Sequence, residues 1–327
     1  MLKLVLRLAG LLGVVGLVAG LGLAAGLRAG YVDAFYARFA APPASSLVLG
    51  TSRAAQAIKP GVLAAQLGSR YQGPWLNYAF TLAESPYGPG YLSSIERKLA
   101  PGTQHGLFVL AVDPWSLSLP KNVQRDKSLQ DYKSRVLNKL DGRIVFPEEK
   151  SMVSQLASVS QSPNLDYLAH YLHKPFYQLL LDTDSAHVIE RLHPDGWLEI
   201  ALPPPSTNPA LLHRRMAEKL VTYRALAATN TLAVAREVSL QQTITFLQKH
   251  GRVVLVRVPT GPEMAALEQH YQPDFDKRLT ALATQEKIPY LNYIDQAYPT
   301  NDGNHITRGA AEQFSQRLAA DIARLAP

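Results

Sequence analysis

Hydrophobic positions fall into two patterns along the chain. Residues 8–27 form a run of 20 residues with no charged or polar side chain. As a helix at about 1.5 Å per residue this run spans about 30 Å, the hydrocarbon thickness of a bilayer. Beyond a connector containing Pro42-Pro43, short apolar runs recur at residues 46–50 (SLVLG), 75–80 (WLNYAF), 107–112 (LFVLAV), 252–258 (RVVLVRV) and 288–294 (IPYLNYI). Most are separated by amphipathic stretches of helical period, beginning with residues 53–67 and ending with residues 312–325. Continuous apolar strands alternating with helices predict a parallel sheet covered on both faces.

About 135 residues separate the third run from the fourth, far more than an ordinary crossover needs. The pattern inside this gap predicts a helix at 165–181, a turn at 193–196 before Trp197-Leu198-Glu199-Ile200, and one or two helices over 211–250, with a break at Pro203-Pro204-Pro205. The expected organisation is an N-terminal membrane segment, residues 1–30, followed by one α/β domain, residues 31–327. A partly helical insertion is expected over about 116–245, capping one edge of the sheet.

Charge sharpens the reading of the N-terminus. Lys3 and Arg7 precede the apolar run, Arg28 follows it, and no acid occurs before Asp33. Basic residues on the short leading side predict that end in the cytoplasm and the body outside it, periplasmic or extracellular. A retained anchor is expected from the length of the run; Gly22-Leu23-Ala24 leaves a cleaved leader open, and both export the remainder. The whole chain of 327 residues has 33 basic and 26 acidic residues, a net +7, of which the leading stretch supplies three and leaves +4. Without Lys/Arg runs or basic-aromatic repeats, that surplus gives no footprint for nucleic acid. The absence of cysteine removes disulfides, thiolate metal sites and cysteine nucleophiles. No glycine-rich phosphate loop appears, and His170 and His173, three apart, lack a nearby acidic partner motif, so neither a cofactor nor a metal is expected.

In a parallel sheet, ligands sit at the carboxyl ends of the strands, so the residues just after each apolar run matter most. Ser52, in Leu49-Gly50-Thr51-Ser52-Arg53, follows the first strand and opens the next helix. Asp302-Gly303-Asn304-His305 lies in a polar loop leading into the last helix. A neutral imidazole can take a proton from a serine hydroxyl, and a carboxylate three residues earlier can hold the ring in the needed tautomer. Singly, such a serine also reads as a helix cap and such a loop as solvated surface.

Together the two motifs resemble the SGNH (GDSL-like) hydrolase superfamily, in which a Gly-x-Ser block follows the first strand and an Asp-x-x-His block precedes the final helix. The resemblance covers both ends of the chain and not the insertion, and DGNHITRGAAEQF is its most specific part. It implies Ser52 as nucleophile, His305 as base and Asp302 as the orienting acid. Gly50-Thr51-Ser52-Arg53 is similar to the Gly-Ser-Ser-Arg variant of membrane-anchored members linked to envelope polysaccharide. The implied oxyanion hole comprises the backbone of Ser52 with Asn77 and Ala79, from Asn77-Tyr78-Ala79 in place of the family's Asn-x-Gly. The family's Gly-x-Asn-Asp block is replaced by Ala111-Val112-Asp113-Pro114.

Arg53, Asp113, Trp115 and Arg257 also fall at strand ends and are candidates for substrate contact, Trp115 as a stacking face for a sugar. A strand-terminating Asp-Pro turn, a core Trp and a strand-end ion pair account for the last three equally well. The activity implied is hydrolysis or transfer of acyl groups, chiefly O-acetyl, on an envelope or exported glycan, with a membrane O-acyltransferase as a further partner. The rival expectation is a weakly active or inactive binding component of the same system.

Overall fold

The computed structural model describes residues 1–29, 38–39, 41–121, 189–202 and 209–325. The helix expected at 165–181, with His170 and His173, lies outside the described residues. Helix α1, Leu2–Ala29, carries no acid in its first turn and contains an apolar span, Leu2–Ala25, long enough to cross a membrane.

The body is mixed α/β, built on a parallel sheet of five strands: β1 Ser46–Leu49, β2 Trp75–Asn77, β3 Gly106–Ala111, β4 Gly251–Arg257 and β5 Tyr290–Asn292. Their spatial order is β2-β1-β3-β4-β5, with Val48 opposite both Asn77 and Val109, Leu110 opposite Leu255, and Val256 opposite Leu291. Each of the five runs singled out in the sequence supplies one strand.

Side chains alternate across this sheet and feed two cores. Leu47, Leu49, Phe108, Leu110, Val253 and Leu255 enter one, where α4 (Pro89–Lys98) contributes Tyr91 and Ile95, α6 (Val234–Gln248) Leu240 and Ile244, and α8 (Phe275–Glu286) Phe275 and Leu279. Val48, Leu107, Val109, Val254 and Val256 enter the other. They meet α2 (Ser52–Ala57), α3 (Pro60–Leu67) and α9 (Arg308–Arg324), whose inner stripe is Ala310, Ala311, Phe314, Leu318 and Ile322. The stretch 53–67 is therefore two helices rather than one. Pro60 has no N–H to donate and opens α3, while Ile58 is extended and closes α2.

The middle of the chain leaves and rejoins the sheet at one place, since residues 118–120 pair antiparallel with residues 230–232. Between them the structure describes a hairpin, Ile189–Leu192 with Leu198–Ala201, and α5, Pro209–Thr229. The expected boundary at 245 falls inside α6. That helix buries Leu240, Ile244 and Leu247 against the sheet, so it is one of the covering helices. Helix α5 instead lies over the carboxyl end of the sheet, where Leu220 and Tyr223 pack with Trp115 and with Met264 of α7, Pro262–Tyr271.

Strand order reverses between β1 and β3, which opens a crevice beyond their carboxyl ends. Gly50 makes the turn out of β1 with φ +136°. A Cβ there would sit 2.8 Å from the carbonyl oxygen of Ala111 on β3, so the position requires glycine.

Candidate active site

Ser52 is delivered to the crevice by the β1–α2 turn, whose backbone is fixed from below. Tyr91 accepts from Gly50 N at 3.1 Å, and Ser85 Oγ donates to Gly50 O at 2.7 Å. The loop before α9 brings the second half of the site. Asp302 Oδ1 accepts from the backbone N–H groups of Asn304 (3.0 Å) and His305 (2.9 Å), folding the loop into a tight turn around its own carboxylate. Gly303, at φ +77°, lies where a Cβ would meet Met216 of α5 at 2.8 Å, so α5 lies directly on this loop.

The two halves meet in one hydrogen-bonded chain. Ser52 Oγ is 2.9 Å from His305 Nε2, and His305 Nδ1 is 2.9 Å from Asp302 Oδ2. An ionised carboxylate only accepts, so Nδ1 carries the ring proton and Nε2 is left to accept from the serine hydroxyl. Burial would raise the pKa of Asp302. The charge and hydrogen bonds of His305, with Lys219 of α5 at 3.5 Å, outweigh it and hold the carboxyl well below its usual range. Asp302 is therefore an anion at any pH where the imidazole is neutral.

A second network lies directly behind the first. Asn304 Oδ1 accepts from Arg53 Nε at 2.9 Å and Nη2 at 2.6 Å. Arg53 Nη2 also donates to Glu268 Oε1 at 2.5 Å. Glu268 on α7 is fully buried and further accepts from Trp115 Nε1 at 2.6 Å and Arg257 Nη2 at 3.0 Å. Arg257 also pairs with Asp276. Burial alone would lower the pKa of Arg53, but Glu268 and then Asp113 hold it above its ordinary value, so the guanidinium stays charged at 3% exposure.

This network changes the roles expected of several residues. Arg53, Asp113, Trp115 and Arg257 are each at most 5% exposed and face inward. Trp115 is stacked on Tyr271 with ring centres 4.7 Å apart, so that face of the indole is covered. Asp113 turns the chain after β3, accepting from Ser116 N at 2.8 Å, and burial raises its pKa against the opposing charge of Arg53. In this structure the four act as internal supports of the crevice, the reading that a turn, a core Trp and an ion pair already allowed for three of them.

Asn77 is also placed differently from the expected oxyanion donor. Its Nδ2 donates to Ala54 O and Ile58 O, both at 2.8 Å, at the far end of α2 from Ser52. Its Oδ1 accepts from Ala79 N at 3.1 Å, which engages that N–H as well. Asn77 thus satisfies the last carbonyls of the helix that carries Ser52, and of the three expected donors only the backbone of Ser52 remains beside the hydroxyl.

Glu268, Asn304, Lys219 and Tyr223 were not singled out from the sequence. Glu268 had a readable signal, an acid four residues after Met264 on the buried face of an amphipathic helix, and Asn304 lies inside the Asp-x-x-His block. Lys219 and Tyr223 sit in the segment whose packing no periodicity reveals. Among the described residues no group of three or more His, Cys, Asp or Glu side chains is placed to hold a metal. A cavity of about 940 Å³ at the amino end of the sheet, lined by Arg70, Arg252 and Lys287 among others, includes none of the triad. Comparison with protein-family models, curated proteins and solved structures gave no match.

Proposed function

We propose that the protein is a membrane-anchored serine esterase or O-acyltransferase of the SGNH type, acting on acyl esters of an envelope or exported polysaccharide. The observation that carries this reading is the Ser52–His305–Asp302 chain, with both contacts at 2.9 Å. The glycan class rests on the resemblance of Gly50-Thr51-Ser52-Arg53 and on the expected export of the body, with a membrane O-acyltransferase as the partner that would supply or receive acyl groups.

In the first step Ser52 Oγ bonds to the ester carbonyl carbon, its proton passes to His305 Nε2, and the carbonyl π pair moves onto oxygen. The backbone N–H of Ser52, in the first turn of α2, is the donor this reading assigns to that oxyanion. Collapse breaks the bond to the sugar oxygen, which takes the proton from Nε2 and leaves as a hydroxyl. Water or an acceptor hydroxyl, losing its proton to Nε2, then attacks the acyl-serine carbonyl carbon; collapse breaks the bond to Ser52 Oγ, which takes the proton back from Nε2, and releases an acid or a new ester. Asp302 stabilises the imidazolium in both halves and keeps its own charge.

A second reading, a glycan-binding or assembly component that keeps the fold, is favoured by the engagement of Asn77 and Ala79 in other hydrogen bonds. The full chain in detergent, treated with a serine-directed fluorophosphonate and assayed on a short-chain aryl ester and on O-acetylated glycans, separates the two. Labelling at Ser52 and turnover are expected. Ser52→Ala and the Ser52→Ala/His305→Ala double should lose similar activity, each more than about 10³-fold, because the triad acts as a unit. No labelling and no turnover would give the second reading precedence.

A further inference from the structure

The imidazole of His305 has one free lone pair, on Nε2, and two donors converge on it. Ser52 Oγ is 2.9 Å away and Asn304 Nδ2 is 3.1 Å away. The orientation of the Asn304 amide is unambiguous. Arg53 has only N–H groups to offer, and two of them meet the same oxygen, so that atom is Oδ1 and the opposite one is the NH₂ group. The second N–H of that group lies 3.3 Å from the Tyr223 hydroxyl, whose pKa burial pushes up to about 12 and which therefore stays neutral. Asn304 is fully buried, so its amide cannot turn toward water.

We propose that Asn304, aimed by the guanidinium of Arg53, is a positioning residue for His305, whose amide N–H fixes the ring in register with Ser52 and favours the neutral, base-competent imidazole. The inference rests on the reading of Ser52 and His305 as nucleophile and base. Its physical content is a hydrogen bond available to only one protonation state. A lone pair on Nε2 accepts from the amide, whereas a protonated Nε2 faces it donor to donor, and a bond to the neutral form disfavours the charged one. The groups facing the ring are few among the described residues. Its own loop supplies Asp302 at Nδ1, and α2 supplies Ser52 and, through Asn304, Arg53. Helix α5 supplies Lys219, against Asp302, and Tyr223, while α7 supplies Glu268 behind Arg53. Asp302 faces the protonated Nδ1, and Asn304 shares with Ser52 the reacting Nε2.

The arrangement also makes the motif reciprocal. The residue after the nucleophile, Arg53, orients the residue before the base, Asn304, although 251 positions separate them. Replacing the amide then has an ordered effect. Asn304→Ala removes the donor, whereas Asn304→Asp keeps the shape and the Arg53 contacts but turns an acceptor toward Nε2.

The test is the rate at which a fluorophosphonate labels Ser52 in the full-length protein, measured from pH 4 to 9, with thermal unfolding recorded alongside. The acid limb of the profile is expected to move to higher pH by about half to one unit in Asn304→Ala and further in Asn304→Asp. Arg53→Lys, which cannot hold Oδ1 with two N–H groups, should move it in the same direction as Asn304→Ala. A limb that stays at the wild-type pH in variants that label more slowly would reduce Asn304 to a packing role and overturn the inference alone. A wild-type chain that is not labelled at any pH would remove the nucleophile itself, and the inference with it.

Discussion

Ser52 owes its position to residues on other elements more than to its own short helix. Asn77 closes the far end of α2, Tyr91 and Ser85 hold the turn before it, and Arg53 ties its first turn to the base loop. Asp302 is equally over-determined, accepting from two backbone N–H groups and one ring nitrogen. This has a pH signature. The folded carboxyl gives up its proton at lower pH than an unfolded aspartate with pKa of about 3.9, so the unfolded chain binds more protons as acid is added. The stability contributed by Asp302 is therefore full above about pH 5 and is lost as pH falls through and below 4. Urea unfolding of wild type and Asp302→Asn at pH 6 and pH 3 should show a gap that narrows at the lower pH; a constant gap would contradict the assignment. At this scale Ser52, His305 and Asp302 were legible because a serine after a strand and an Asp-x-x-His loop are local patterns. The burial of Arg53, Trp115 and Arg257 was not, since their common partner Glu268 lies 215 positions from Arg53.

Among the elements, α9 does the most to bring the two halves together. Thr307 caps it, accepting from Ala310 N at 3.3 Å, and its stripe lies against α2 and α3. Ser315 Oγ donates to Ala57 O and accepts from Lys59 N, which pins α9 to the break between those helices. Phe314 is fully buried at the centre of the stripe, edge-on to Tyr293 and Tyr298. Phe314→Ala should lower unfolding free energy by about 3–5 kcal/mol, read from chemical denaturation, and a loss below about 1 kcal/mol would mean that α9 is not anchored in this way. The period of the C-terminal stretch announced this helix, and strand-length apolar runs announced all five strands. What the pattern hid was the Pro60 break and the membership of α6. A proline at N1 and a proline breaking a helix look alike in one dimension, and a covering helix that follows a long gap between strands has the same period as a helix inside that gap.

At the scale of the whole molecule, the helix at residues 2–29 and the α/β body are joined by a short connector, and Lys98 helps hold its far end. The Lys98 ammonium donates to the carbonyl oxygens of Phe39 (2.8 Å) and Ala41 (2.6 Å), and burial pushes its pKa down to about 8. A span bounded by Lys3 and Arg7 on its leading side places the body outside the cytoplasm in the proposed reading. Fusing a reporter that is active only in the cytoplasm to Pro327 should therefore give no signal, and a strong signal would reverse the topology and the proposed substrate class together. A parallel sheet with its binding residues at the carboxyl ends of the strands follows from alternating strands and helices, which is why the location of the site was readable, whereas the order of the strands was not. The face that α5 lays over it was not, because nothing local in residues 209–229 says where that helix docks.

The separation of 253 positions from Ser52 to His305 also sets a calendar for the molecule. Ser52 is made 253 positions ahead of His305, so for that interval of synthesis the growing chain carries a serine hydroxyl with no imidazole to accept its proton. The loop bearing His305 leads directly into α9, which packs against α2 and α3, so the Ser52–His305 contact forms only once both distant parts of the chain are made. A chain cut short anywhere before that loop would be chemically silent however well its earlier strands had paired.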